Sequence, residues 1–76
     1  MFEYVIATQY DVSCFKSICE RIEAMYPDWQ KDRLLIDVDC SLIQAYHNND
    51  NEITVFCCIE EDVVWVESTI EMIFLA

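Results

Sequence analysis

The chain has 76 residues and a net charge of −11, from 15 acidic and four basic side chains, and 55% of its residues are apolar although it contains no glycine. Because no uninterrupted apolar run exceeds five residues, these values argue against intrinsic disorder, a membrane span and the basic footprint that binding to DNA, RNA or anionic lipid requires. Residues 34–76 carry nine acids and no base, so the natural complement of this half is a basic protein surface.

The first two predicted elements are a strand and an amphipathic helix. Phe2–Thr8 is rich in β-branched and aromatic residues, which is typical of a strand. The period then changes to three and four, which predicts a helix. Its apolar face comprises Val12, Phe15, Ile18, Cys19, Ile22, Met25 and Tyr26. Asp11 can cap the helix, or Thr8 and Asp11 can form a capping box one turn earlier, and Pro27 ends it.

From Leu34 onward the apolar residues alternate with polar ones, which predicts strands. The positions expected to face the helix are Leu34, Ile36, Val38, Cys40, Leu42 and Tyr46, then Ile53, Val55, Cys57 and Ile59, then Val64, Val66, Ile70, Met72 and Phe74. Gln44 is the one exception in this pattern. Turn residues separate the three runs at His47–Glu52 and at Glu60–Asp62. An interruption near Asp39–Ser41 is the alternative to one long strand in the first run.

The register of these strands provides a test of the pattern. Two-residue loops at Asn49-Asp50 and Glu61-Asp62 place Tyr46 opposite Ile53 and Cys57 opposite Val66, with every apolar side on one face. We therefore predict an α+β fold, a two-layer β-α-β-β-β domain in which one helix covers an antiparallel meander. The alternative is a β-α-β-β-α order, because the C-terminal segment also fits a helical face.

The same register predicts an acidic outer sheet face with aromatic residues at its centre, an arrangement typical of protein interfaces. The candidate partner-binding residues are Asp37, Asp39, Ile43, Glu52, Phe56, Glu60, Glu61, Asp62, Trp65, Glu67 and Glu71. Carboxylates two residues apart on a strand, such as Asp37 and Asp39, lie about 6.7 Å apart. This spacing is comparable to the phosphate repeat of a nucleic-acid strand.

These features predict an acidic protein-binding module, not an enzyme. We expect an inhibitor or regulator that occupies the basic, nucleic-acid-binding site of a partner protein as a DNA or RNA mimic, without binding nucleic acid or a membrane itself. The alternative is a structural subunit or homodimerisation domain that uses Ile43, Phe56 and Trp65. Five cysteines without framework spacing and no visible secretory signal favour the cytoplasm, and no cofactor is expected.

One short stretch points to a different chemistry. Leu34–Ser41, "LLIDVDCS", resembles the nucleophile motif of the haloacid-dehalogenase-like phosphatases, which implies a phosphoryl acceptor at Asp37, an acid/base at Asp39 and a parallel sheet. The resemblance covers eight residues, and no later metal-binding motif is evident. Two outward acids on a strand are the simpler interpretation. His47, the single histidine, is expected to form a surface hydrogen bond near a turn.

Overall fold

A single α-helix packs on one face of a six-stranded antiparallel sheet in the computed structural model, which describes residues 1–75. The elements are β1 (Phe2–Ala7), α1 (Val12–Met25), β2 (Gln30–Lys31), β3 (Leu35–Ile36), β4 (Leu42–Asn48), β5 (Asn51–Cys58) and β6 (Val63–Ser68), followed by a 3-10 turn at Ile73–Leu75. The strand order is β1-β6-β5-β4-β2, and β3 also pairs with β4. The predicted fold class, one helix on an antiparallel meander, is confirmed.

Helix α1 begins and ends at the signals that the sequence provides. The carboxylate of Asp11 accepts a hydrogen bond from the Cys14 N–H at 2.9 Å, so of the two predicted starts the cap at Asp11 is the one that forms. The helix ends at Met25, because the residue before Pro27 is forced out of the helical region. Within residues 1–75, no helix is long and apolar enough to cross a membrane.

The hydrophobic core lies between α1 and the sheet. Phe15, Ile18, Cys19 and Ile22 form the buried face of the helix. The sheet contributes the alternate residues of three strands, which are Tyr46, Ile53, Val55, Cys57, Val64 and Val66. The first hairpin has the predicted register, with Asn48 opposite Asn51 and Tyr46 opposite Ile53. Gln44 is buried, and its side-chain amide donates to the backbone carbonyl of Asp32 at 2.6 Å, which satisfies a polar group in an apolar position.

A polar link joins the helix to the sheet at one end of this core. The buried Tyr46 hydroxyl donates to the Glu23 carboxylate at 2.7 Å, and the Lys31 ammonium lies 3.0 Å from the same carboxylate oxygen. Burial, together with the hydrogen bond to Glu23, raises the pKa of Tyr46. The same hydrogen bond lowers the pKa of Glu23. The three side chains therefore tie α1 to β4 and β2.

The register predicted for the second hairpin is wrong by two residues. Cys57 lies opposite Val64, and Val55 opposite Val66, because four residues, Ile59–Asp62, connect β5 and β6. Asp62 adopts a left-handed φ of 54°, and its N–H donates to the Ile59 carbonyl at 3.2 Å, which closes the longer loop. A shift of two residues leaves every side chain on its predicted face.

The long first run of alternating residues is not one strand. The chain reverses at Asp37–Ser41, where the Asp37 N–H donates to the Ser41 carbonyl at 2.9 Å, so β3 and β4 form a hairpin. Four residues predicted to face the helix are instead exposed: Leu34, Ile36, Val38 and Cys40. The reversal places them at the edge of the sheet. The predicted pairing of Cys40 with Ile59 therefore does not form, and Cys40 occupies a left-handed turn position with φ 71°.

The C-terminal segment is neither the predicted strand to Phe74 nor the alternative helix. Strand β6 ends at Ser68, whose hydroxyl accepts the Ile70 N–H at 3.0 Å and so turns the chain out of the sheet. Met72 is nevertheless fully buried, and its N–H donates to the Tyr4 hydroxyl at 2.8 Å. The segment closes one end of the core.

Candidate protein-binding face

A row of apolar side chains crosses the sheet on the face opposite the helix, which we call the outer face. The row consists of residues directly opposite one another on five neighbouring strands, in the order Val5, Trp65, Phe56, Ile43 and Leu35. Opposite residues of an antiparallel pair project to the same side. None of the five belongs to the core cluster. We call this set the apolar row.

The centre of the row is an aromatic pair. The rings of Phe56 and Trp65 stack with their centroids 4.5 Å apart and 10° between their planes. In the predicted register, with Cys57 opposite Val66, Phe56 lies opposite Glu67; the two-residue shift of the second hairpin brings Phe56 directly opposite Trp65. The Trp65 indole N–H donates to the Glu67 carboxylate at 3.0 Å, which fixes the orientation of the indole ring. Both rings are half-buried and therefore partly available to a partner.

Carboxylates border the apolar row on one side. Asp37, Asp39 and Glu60 line a depression together with Ile43, Phe56 and Trp65. Asp37 and Asp39 lie in the β3–β4 turn, so the spacing expected for an extended strand does not apply to them. The Asp39 carboxylate accepts the Ser41 N–H at 2.9 Å, and this hydrogen bond lowers the pKa of Asp39. The aspartate is therefore held in its charged form.

A second acidic border lies on the other side of the row. Glu3 is directly opposite Glu67 in the pairing of β1 with β6. Both line a depression next to Val5 and Trp65, which Glu61 of the β5–β6 loop also lines. The positions that continue this border beside Phe56 and Ile43 are the uncharged Thr54 and Ala45. Opposed like charges destabilise a sheet, so this arrangement costs stability in the isolated protein. Cationic side chains placed between these carboxylates would relieve the repulsion.

Three candidate residues lie apart from the two depressions. Glu52 is at the far end of the outer face, where its carboxylate accepts a hydrogen bond from the Thr54 hydroxyl at 3.2 Å. The Asp62 carboxylate accepts the Tyr10 N–H at 2.6 Å and so holds the loop before α1. Glu71 follows the end of β6 and has left the sheet. Asp62 is thus a structural residue, and Glu71 is not part of the outer face.

Two residues of the row, Val5 and Leu35, are not among the contact residues predicted from the sequence. Val5 is 67% exposed and reaches the outer face because β1 pairs with β6. Leu35 is 56% exposed and joins the row because β3 folds back beside β4. The alternation within Phe2–Ala7 already separates Glu3 and Val5 from Tyr4 and could have indicated their shared face. It does not indicate which strand they would accompany.

Three of the four positive side chains lie on the helix side of the molecule, and the fourth, Arg33, is exposed in the segment between β2 and β3. Lys16 and Arg21 are exposed on α1, and Lys31 pairs with Glu23 of the same helix. The Arg21 guanidinium donates to the Phe74 carbonyl at 3.2 Å and lies 5.2 Å from the centroid of its ring. Three cations thus lie away from the outer face, and the charged side chains that line its two depressions are all acidic.

The thiols and the histidine have structural surroundings. All five cysteines are free, and burial raises the pKa of Cys19 and of Cys57, which favours the neutral thiol. His47 contacts the Asp32 carboxylate through Nδ1 at 3.1 Å, as expected for a surface hydrogen bond. Asp37 and Asp39 lie in a hairpin turn of an antiparallel sheet, whereas the phosphatase resemblance implied a parallel one. No cluster of His, Cys, Asp or Glu in the described part of the chain is arranged to hold a metal ion.

Comparison of the chain with protein-family models, with curated proteins and with solved structures finds no match. The role of the outer face therefore has to be inferred from its own geometry and charge.

Proposed function

We propose that the protein is an acidic binding module whose outer face occupies a basic site on another protein. One observation carries this proposal: an apolar row that crosses five strands is bordered by Asp37, Asp39 and Glu60 on one side and, at its β1–β6 end, by Glu3 and Glu67 on the other. Apolar centres provide most of the binding free energy of protein interfaces, and charged rims provide orientation and association rate. The complementary surface is an apolar strip flanked by Lys and Arg.

A nucleic-acid-binding site is the class of basic surface that this face suits best. Such sites carry clustered cations for phosphates and aromatic or aliphatic groups for bases. The stacked rings of Phe56 and Trp65 between two acidic borders offer the same two elements in complementary form. The protein would then act as an inhibitor or regulator that displaces DNA or RNA, in the cytoplasm.

Competition with nucleic acid tests this proposal. A panel of purified DNA- and RNA-binding domains is loaded with a fluorescent oligonucleotide, and displacement by the protein is followed by anisotropy at several salt concentrations. We expect displacement from at least one class of domain, with an affinity that falls as salt rises. Trp29→Phe leaves Trp65 as the single tryptophan, so a change in its emission would report contact at the outer face.

Matched variants distinguish an effect of the outer face from an effect of the overall negative charge. Glu60→Lys and Glu67→Lys should slow association, and Phe56→Ala should speed dissociation. Asp28→Lys makes the same change in net charge in an exposed loop next to Pro27 and should have a smaller effect. The proposal is wrong if all three charge reversals have equal effects. It is also wrong if neither the wild type nor any variant displaces the oligonucleotide.

The apolar row also supports a second candidate, a homodimer or a complex subunit built on the outer face. A row that crosses five strands without a covering element among residues 1–75 is typical of a permanent interface. Sedimentation in moderate salt distinguishes the two. A dimer that dissociates on Phe56→Lys favours the structural role, and a monomer at all concentrations removes it.

A further inference from the structure

The hairpin that connects β3 to β4 projects apolar side chains into solvent. Leu34, Leu35, Ile36 and Val38 are 42%, 56%, 65% and 101% exposed, although they follow one another within five residues. We call Leu34–Cys40 the arm. Exposed apolar residues scattered singly need no explanation, but a contiguous group marks an interaction site. The alternating sequence predicted burial for three of them, and the fold leaves them uncovered.

Hydrogen bonds hold the tip of the arm in one shape. The Asp37 carboxylate accepts the Val38 N–H at 2.8 Å, and the Asp37 carbonyl accepts the Cys40 N–H at 2.9 Å. The Cys40 carbonyl accepts the Tyr10 hydroxyl at 3.0 Å, which ties the tip to the loop before α1. Val38 is thus presented outward on a supported turn. An anchor that is already ordered loses little conformational entropy on binding.

The arm continues the outer face. Leu35 is the last residue of the apolar row, directly opposite Ile43, and Asp37 and Asp39 line the depression that contains Phe56. A partner that covers the row therefore reaches the arm without a gap. Leu35, Val38 and the two carboxylates therefore belong to one contact surface, whereas Ile36 is opposite Leu42, which packs against the core, and so projects to the helix side.

Charge decides which occupant fits the arm. Asp37 and Asp39 flank Val38, and no cation lies between Leu34 and Cys40. Two arms packed together would bring four aspartates close to one another, in molecules that each carry a net charge of −11. A second copy is therefore a poor occupant. A protein with basic residues around an apolar pocket is the complementary one.

We infer that the arm is the anchor of the binding face, with Leu35 and Val38 inserted into an apolar pocket whose Lys or Arg rim pairs with Asp37 and Asp39. This inference rests on the proposed function and names the partner's pocket. Burying one aliphatic side chain is worth about tenfold or more in affinity. The arm should therefore contribute a larger share of the binding free energy than its small size suggests.

Defined peptides serve as probes. The first is an amphipathic Lys/Leu helix, the second is oligolysine of equal charge, and the third is the same helix with Gln in place of Lys. Binding is followed by NMR chemical-shift changes and by titration. We expect the Lys/Leu helix to perturb the amides of Leu35 and Val38 and to bind more tightly than either of the other two peptides.

Variants then test whether the arm itself contacts the peptide. Leu35→Ser and Val38→Ser should weaken binding of the Lys/Leu helix about tenfold each and leave binding of oligolysine unchanged. Ile73→Ser, at a position 76% exposed outside the sheet, should change neither, and the thermal midpoint of every variant checks folding. Binding of the Lys/Leu helix that is insensitive to both arm variants overturns the arm but leaves the proposed function standing. Failure of every cationic probe overturns the proposed function itself. A dimer that dissociates on Leu35→Ser would show that a second copy is the occupant, and the inference would be wrong.

Discussion

Replacement of Tyr46 by phenylalanine tests the polar link between helix and sheet. The change keeps the buried ring and removes only the hydroxyl that donates to Glu23 at 2.7 Å. A hydrogen bond to a charged group contributes about 1.5–3 kcal/mol. The Glu23 side chain is 39% exposed, so water replaces part of the lost bond and we expect a loss of about 1–2 kcal/mol. For a domain of this size, each kcal/mol lowers the thermal midpoint by about 4–8 °C.

The pH dependence of the stability tests the role of the Glu23 carboxylate directly. The hydrogen bond from Tyr46 lowers the pKa of Glu23, so the folded state binds that proton less tightly than the unfolded state. The stabilisation is therefore fully present above the ordinary glutamate pKa and is lost as the pH falls through the folded pKa. Urea unfolding at pH 7 and near pH 3 measures it.

The wild type should exceed Tyr46→Phe in stability at pH 7, and the difference should narrow at the acidic pH. Tyr26→Phe is the matched control, because its hydroxyl makes no hydrogen bond within residues 1–75. A difference that stays constant with pH, or an equal loss in the control, would refute the role assigned to the carboxylate.

Three further predictions concern the sheet and its ends. Glu3→Lys turns the like-charge pair with Glu67 into an attractive one, so the thermal midpoint should rise by a few degrees, and the gain should shrink in 1 M salt. Cys40→Gly relieves the left-handed φ of 71° and should raise the free energy of unfolding in urea by about 0.5–1 kcal/mol, whereas a loss would contradict strain at the turn. Met72→Ala, at a fully buried position, should cost about 2–5 kcal/mol, while Ile73→Ala should be nearly neutral; equal effects would show that the C-terminal segment does not pack as described.

Much of the candidate site follows from alternation alone. Ile43, Phe56 and Trp65 occupy the outward positions that period-two patterning assigns to them. The stacking of the two rings does not follow, because a hairpin shifted by two residues has the same alternation and a different partner for every residue. Only the four-residue loop, with Asp62 at φ 54°, sets the pairing.

The arm shows where local patterning fails. Leu34, Ile36 and Val38 alternate as a buried strand would, yet the chain reverses after Ile36 and leaves them at an edge. Alternation reports that one side of a strand is apolar, but it does not report what covers that side. In this chain the cover is limited by the single helix, which reaches the central strands and leaves the arm exposed.

Local sequence signals were sufficient for the helix and the first hairpin, although the choice of the Asp11 cap over the Thr8 capping box came from the structure, because capping, turn chemistry and alternation act over a few neighbouring residues. Tertiary structure alone decided that β1 pairs with β6, which joins Phe2 to Ser68. That pairing adds Val5 and an opposed pair of glutamates to the outer face. Contacts between residues so distant in the chain depend on how all the elements pack around one small core. No local sequence pattern specifies that arrangement.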